Sequence, residues 1–207
     1  MSPSATQPVT STNTPASTPT QTVTPEPSAT LTPAPTLETF LYVYPVQPLG
    51  VSDFSEGGHA YPATDIFAPA GTRFVAVTDG VVDYVTYKDR WNPATDDPAL
   101  RGGICVAIIG DDGLRYYGAH LSAVVGGVVP GARVIAGQWL GLIGTSGNAV
   151  NTTPHVHFGI SHPTFPKDWQ TRRGELDPVP YLTAWSRKEN LRPQFPTPTP
   201  IVEMADP

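Results

Sequence analysis

The sequence predicts an all-β domain, an antiparallel β sandwich or open barrel, flanked by disordered Thr/Pro-rich tails. Three observations carry this expectation. Apolar residues recur with period two in short runs, the pattern of strands buried on one face. Gly, Pro and Asn separate those runs at the close spacing of an all-β fold. Helical periodicity is almost absent between residues 39 and 190.

From Met1 to Leu37 nearly every residue is Ser, Thr, Pro, Ala, Gln or Val, and Glu26 is the only charged side chain. Such a segment cannot bury enough apolar surface to offset its ordering entropy, so residues 1–38 are expected to form an extended stalk. Residues 39–190 carry the domain. The run Thr72 to Val77 meets Asp79-Gly80, a hairpin signal, and Val81 to Tyr87 follows as a second alternating, β-branched run. Gly103 to Ile109 and Leu114 to His120 flank Asp111-Asp112-Gly113 in the same way. Arg133 to Ile135, Trp139 to Gly144 and Val156 to Ser161 complete the strands, and the segment Tyr181 to Ser186 reads as a short closing helix. Lys88 to Gly102, with Trp91, two prolines and Asp96-Asp97, is long for a connection in a compact β domain and is expected to wall a substrate groove. A Pro-rich composition returns after Leu191, so residues 191–207 are expected to be a second disordered tail.

The net charge is −6 with no basic run, which argues against nucleic acid as a partner. A single cysteine, Cys105, excludes an internal disulfide, and its apolar neighbours make it a small buried hydrophobe. No apolar run reaches the ~18 residues of a membrane helix, and Met1-Ser2-Pro3-Ser4 does not read as a signal peptide. A Thr/Pro-rich stalk nevertheless serves to hold a domain away from a surface. An export or anchoring segment ahead of Met1 and an extracellular or cell-envelope location are therefore expected, with the chain acting as a monomer.

The five histidines, at 59, 120, 155, 157 and 162, all fall inside the domain. Strand residues i and i+2 share a face about 7 Å apart, so His155 and His157 project together while Val156 and Phe158 face the other way. An isolated His-x-His is ordinarily a solvent-facing pair. His59 and Asp65 change the reading, because a polar turn there delivers an imidazole and then a carboxylate at the start of an apolar strand. A catalytic zinc site keeps three protein ligands and leaves the fourth position to water. His59, Asp65 and one member of the His155/His157 pair supply that count. His120, ending the run Leu114 to His120, is a candidate to orient water or stabilise an oxyanion beside such a metal.

The segments Ala68-Pro69-Ala70-Gly71-Thr72, Tyr116-Tyr117-Gly118-Ala119-His120-Leu121, Gly131 to Gly141, and Pro154-His155-Val156-His157-Phe158 occur in that order. Together they resemble the lysostaphin/LytM-type zinc metallopeptidases over nearly the whole domain, and Leu176 to Leu182 is similar to that family's domain end. The resemblance implies a peptidoglycan endopeptidase with one Zn2+ per chain. It implies His59, Asp65 and His157 as zinc ligands, His120 and His155 as the catalytic pair, and peptidoglycan peptides as the partner. One departure stands out. The family's first motif is His-x-x-x-Asp, whereas five residues, Pro62 among them, separate His59 from Asp65; the two additional residues are expected to bulge outward. His162 matches no motif position and is expected at the surface or behind the site.

Two other classes compete with this reading. One is a module that binds cell wall or regulates a hydrolase without cutting, for which the complete set of site residues is unnecessary. The other is a biotinyl/lipoyl-type carrier, suggested by the turns between Gly131 and Gly144, which leaves the histidines unexplained and lacks a lysine at a hairpin tip.

Overall fold

The structure is a computed structural model and describes residues 40–54 and 59–196. The expected stalk at 1–38, residues 55–58 and the end of the tail from 197 onward lie outside the described residues. Ten strands form one antiparallel sheet: β1 (Val46–Gln47), β2 (Asp53–Phe54), β3 (Thr64–Phe67), β4 (Arg73–Val75), β5 (Gly80–Thr86), β6 (Ile104–Gly110), β7 (Arg115–Val124), β8 (Arg133–Val134), β9 (Trp139–Ile143) and β10 (His155–Ser161). The order β1-β4-β9-β7-β10-β3-β2 runs across it, with β6 on β7, β5 on β6 and β8 on β5. The sheet curls as an open half-barrel, the open form of the architecture expected from the period-two pattern.

β7 organises the sheet because it has three partners. One edge pairs with β6. The other edge pairs with β10 over Arg115 to Ala119, and then with β9 from Leu121 to Val124. The exchange of partner happens at His120, whose φ of 63° breaks the strand's twist. The core collects the inward residues, including Phe74, Ile108, Leu121, Leu140, Ile143, Val156, Phe158 and Ile160. Two short helices follow, α1 (Trp169–Arg172) and α2 (Val179–Ser186). Trp185 of α2 covers the core, stacking on Tyr42 at 5.6 Å and meeting Phe158 edge-on.

The Asp111-Asp112-Gly113 hairpin joins β6 to β7 as expected. The hairpin expected at Asp79-Gly80 does not form: β4 pairs with β1 and β9, while β5 pairs with β6 and β8. Val75, Ala76, Val77 and Thr78 are all buried, so the chain dives through the core after β4 instead of alternating along a face. Asp79 then ties this crossing down, accepting from Ala136 N through Oδ1 and from Asp111 N through its carbonyl. Cys105 is buried and unpaired. Residues 191–196 run back along the domain, where Leu191 O accepts from Trp185 Nε1 and Phe195 stacks on His162.

Candidate metal centre

Alternation along β10 buries Val156 and Phe158 in the core and turns His155 and His157 to the opposite face, where they are only 6% and 4% exposed. Strand register places His157 across from Asp65 of β3 on one side and from Ala119 of β7 on the other, with His120 next along β7. His59 reaches the same point from the bend that precedes β3. Its Nε2 lies 3.0 Å from Asp65 Oδ1, and His157 Nδ1 lies 3.1 Å from the same oxygen. One donor atom from each of His59, Asp65 and His157 falls within 4.8 Å of the others. The lengthened spacing is absorbed as the outward bulge expected from it. Ala60 and Pro62 are exposed, while Tyr61 turns back to pack on His59 at 5.3 Å and on His157 at 5.8 Å.

The rings are held from behind. His157 Nε2 lies 3.0 Å from the carbonyl oxygen of Arg173, which can only accept, so this nitrogen carries the proton. That contact depends on Gly159, two residues along β10. A Cβ there would sit 2.6 Å from the Arg173 carbonyl carbon and nearer still to its oxygen. His120 is fixed by Nδ1–H donating to Ser146 O at 2.8 Å, and its own backbone N–H donates to Gly102 O at 2.9 Å. The Ser146 turn is anchored in turn by Gly147 N–H donating to Asp89 Oδ2 at 2.7 Å. His155 donates from Nδ1 to Thr153 O at 2.8 Å, and its Nε2 lies 3.8 Å from Asp65 Oδ2.

Burial, with help from the neighbouring His157, pushes the pKa of His120 down to about 4. Burial also works against the charge of Asp65, but the ring nitrogens of His157 and His59 beside it outweigh burial and hold the carboxyl well below the usual carboxylate range. The donor set fits zinc. Nitrogen and oxygen donors about 2.0–2.2 Å from a tetrahedral ion stand about 3.3–3.5 Å apart, close to the separations seen around Asp65. Both nitrogens of His157 face acceptors, and a neutral imidazole can donate to only one of them. With Nε2–H on Arg173, Nδ1 is the nitrogen through which His157 could hold a cation beside Asp65.

The group opens onto a cleft of about 190 Å³ lined by His59, His120 and His157 together with Tyr61, Tyr117 and Trp169. Pro98, Ala99, Arg101 and Gly102 also border it, so the end of the Lys88 to Gly102 segment forms one wall. His155 is not part of the lining. It joins the cluster through His120, 5.0 Å away between ring centroids, and through Asp65. His162 stands apart on the surface beside Glu175.

The profile of peptidase family M23 matches residues 59–171, more than half of the 207-residue chain. This chain belongs to peptidase family M23. The matched span begins at His59 and takes in Asp65, His120, His155 and His157. Among relatives, the M23 chain is 30% identical over 138 residues to the L-Ala–D-Glu endopeptidase of Bacillus subtilis (strain 168), which covers 64% of this chain and 37% of that protein. The chain thus spans well under half of that relative's length. It is also similar to the catalytic domain of the antimicrobial peptidase lysostaphin from Staphylococcus simulans: 29% identity, 70% of this chain and 91% of that one, TM-score 0.46. The solution structure of lysostaphin matches at 26% identity over 78% of this chain and 60% of that one, with a TM-score of 0.50, in keeping with the open antiparallel sheet.

Sequence reasoning passed over several residues that shape the M23 cleft. Tyr61 was hidden inside the lengthened motif, and Asp89 in the long loop. Arg172 and Arg173 had only their adjacency before Gly174 as a signal.

Proposed function

We propose that this chain is a zinc metalloendopeptidase that hydrolyses peptide bonds of bacterial peptidoglycan, in the cross-bridge or the stem peptide. One zinc per chain would be held by His59 Nε2, Asp65 Oδ1 and His157 Nδ1. The observation that carries the reading is the convergence of these three donors with the second nitrogen of His157 already committed to Arg173 O. Membership of family M23 and similarity to an L-Ala–D-Glu endopeptidase support the substrate class. With such a substrate the chain would act outside the cell or in the envelope.

Zinc at this position supplies Lewis acidity, which acidifies water and polarises the scissile carbonyl. The remaining work falls to the chain's own side chains. His120 and His155 each commit Nδ1–H to a backbone carbonyl, which leaves each Nε2 available for proton transfer. One of them would accept the proton of the attacking water at Nε2 and return it to the leaving amine, while the other, when protonated at Nε2, would donate to the developing oxyanion. Asp65, half-buried and held ionised, would balance the charge of the bound metal.

Zinc content measured together with peptide release from purified peptidoglycan tests the proposal. About one zinc per chain with release that stops on chelation and returns with zinc is the expected result. Zinc without release would leave the chain as a wall-binding module.

A further inference from the structure

We infer that the cleft selects peptides bearing a free carboxylate on a residue beside the scissile bond, captured by Arg172 and Arg173; this rests on the endopeptidase reading and narrows its substrate. The chain as a whole is acidic, with a net charge of −6. Yet the cleft beside the metal centre is bordered by three arginines, Arg101, Arg172 and Arg173, and by no aspartate or glutamate among the described residues. Arg172 ends α1 and Arg173 caps it, directly after the span matched to the family.

The other arginines show how this protein treats a guanidinium that it needs only for structure. Arg115, fully buried, is neutralised by Asp83 at 2.8 Å and donates further to Thr164. Arg101 is forked onto Asp96, with Nε at 2.9 Å and the second nitrogen at 2.5 Å. Arg172 is also buried, 4% exposed, but has no carboxylate among the described residues. One of its terminal nitrogens donates to Pro166 O, while its Nε is buried without any hydrogen-bond partner. Arg173 Nε is buried and unpartnered as well. A buried, unpaired charged donor is unfavourable, and natural proteins leave few of them without a purpose.

Aromatic stacking accounts for the faces of these guanidinium groups and not for their edges. Arg172 lies 3.8 Å from the centroid of the Tyr84 ring, and Arg173 lies 3.8 Å from Tyr61 and 5.1 Å from Trp169. Stacking holds the plane rigid without using the in-plane N–H edge, where both Nε atoms are unpartnered, and that edge is the fork that matches a carboxylate. Location ties that fork to the scissile bond. The carbonyl of Arg173 supports His157, and Tyr61, on which its guanidinium stacks, packs against both His59 and His157. A peptide bond held at the metal centre therefore presents its neighbouring residue to Arg173 and, deeper in the cleft, to Arg172. An all-glycine bridge offers no carboxylate there, whereas an acidic stem peptide does.

The test uses a matched pair of short wall-type peptides, one with the carboxyl next to the scissile bond free and one with it as the carboxamide. Binding to the zinc-loaded full chain is measured by calorimetry, and cleavage is followed on the same samples by chromatography. The acid is expected to bind about tenfold or more tightly than the amide, the scale of charge-assisted hydrogen bonds to a guanidinium. Arg173→Gln is expected to bring the ratio of acid to amide affinity down to about one; Arg172→Gln should act in the same direction where it folds. Equal affinity for acid and amide, a preference that survives Arg173→Gln in a folded variant, or no binding of the acid at millimolar concentration would overturn the inference. Cleavage of both peptides without preference sinks carboxylate capture and spares the endopeptidase reading. Preferential binding of the acid with no cleavage of either does the reverse.

Discussion

Replacing Gly159 with alanine puts a methyl group where the Arg173–Gly174 segment now lies. The added Cβ would be 2.6 Å from the Arg173 carbonyl carbon and 3.0 Å from Gly174 N. Ordinary contact between such atoms needs about 3.5 Å, so the segment must retreat by about 1 Å. The bond from His157 Nε2 to Arg173 O, 3.0 Å in the native chain, would then stretch beyond hydrogen-bonding range. Losing an outer partner of a ligating histidine lowers metal affinity by about 10- to 100-fold, or about 1.4–2.7 kcal/mol. Overpacking at a central strand should add about 1–3 kcal/mol of destabilisation. The assay is competition for zinc against a chromophoric chelator, alongside a thermal melt to confirm folding. A folded variant that binds zinc within twofold of the native chain would refute the reasoning, because the Arg173 carbonyl would then be no part of the metal centre's support.

His155→Ala should reduce hydrolysis by about 100-fold or more while leaving zinc near one per chain, read by metal analysis and peptide release; loss of the metal would make His155 a ligand. Asp89→Ala removes the anchor of the turn whose Ser146 carbonyl holds His120, so kcat should fall about 10- to 100-fold with zinc content unchanged. An unaltered kcat would detach the loop from catalysis. His120 also predicts a pH dependence in the metal-free protein. Its folded pKa of about 4 lies below the ordinary value of 6.5, so the unfolded chain binds the extra proton first. The stability tied to its neutral form is complete above about pH 6.5 and lost as the pH falls through about 4. His120→Asn, which tolerates the left-handed backbone, should flatten the denaturation midpoint across that window, and an unchanged slope would count against the buried, neutral imidazole.

Much of the site could be read along the chain because its parts are local. His155-Val156-His157 declares its shared face through the strand period alone, and the order of glycine-punctuated segments pointed to the open antiparallel sheet. Local signals misled at Asp79-Gly80, where a good turn dipeptide sits at a crossing through the core. The burial of Val75 to Thr78 outweighs turn propensity there. Arg172 and Arg173 were silent for the opposite reason. Nothing in their neighbourhood distinguishes them from two surface arginines, since what buries and strips them is Tyr84, Tyr61 and Trp169, most of them far away in sequence.

By itself, then, the sequence determined the β class, the candidate imidazoles and carboxylate, and the side of β10 on which they stand. These follow from periodicity and residue chemistry, which operate over a few neighbouring positions. Only the tertiary structure decided that Asp65 faces His157 across the β3–β10 register, that the long turn after His59 still returns its ring to the same oxygen, and which nitrogen of His157 is free. Those outcomes depend on pairing between segments as much as 92 residues apart and on one missing Cβ at Gly159, where the close approach of two backbones sets the orientation of the ring.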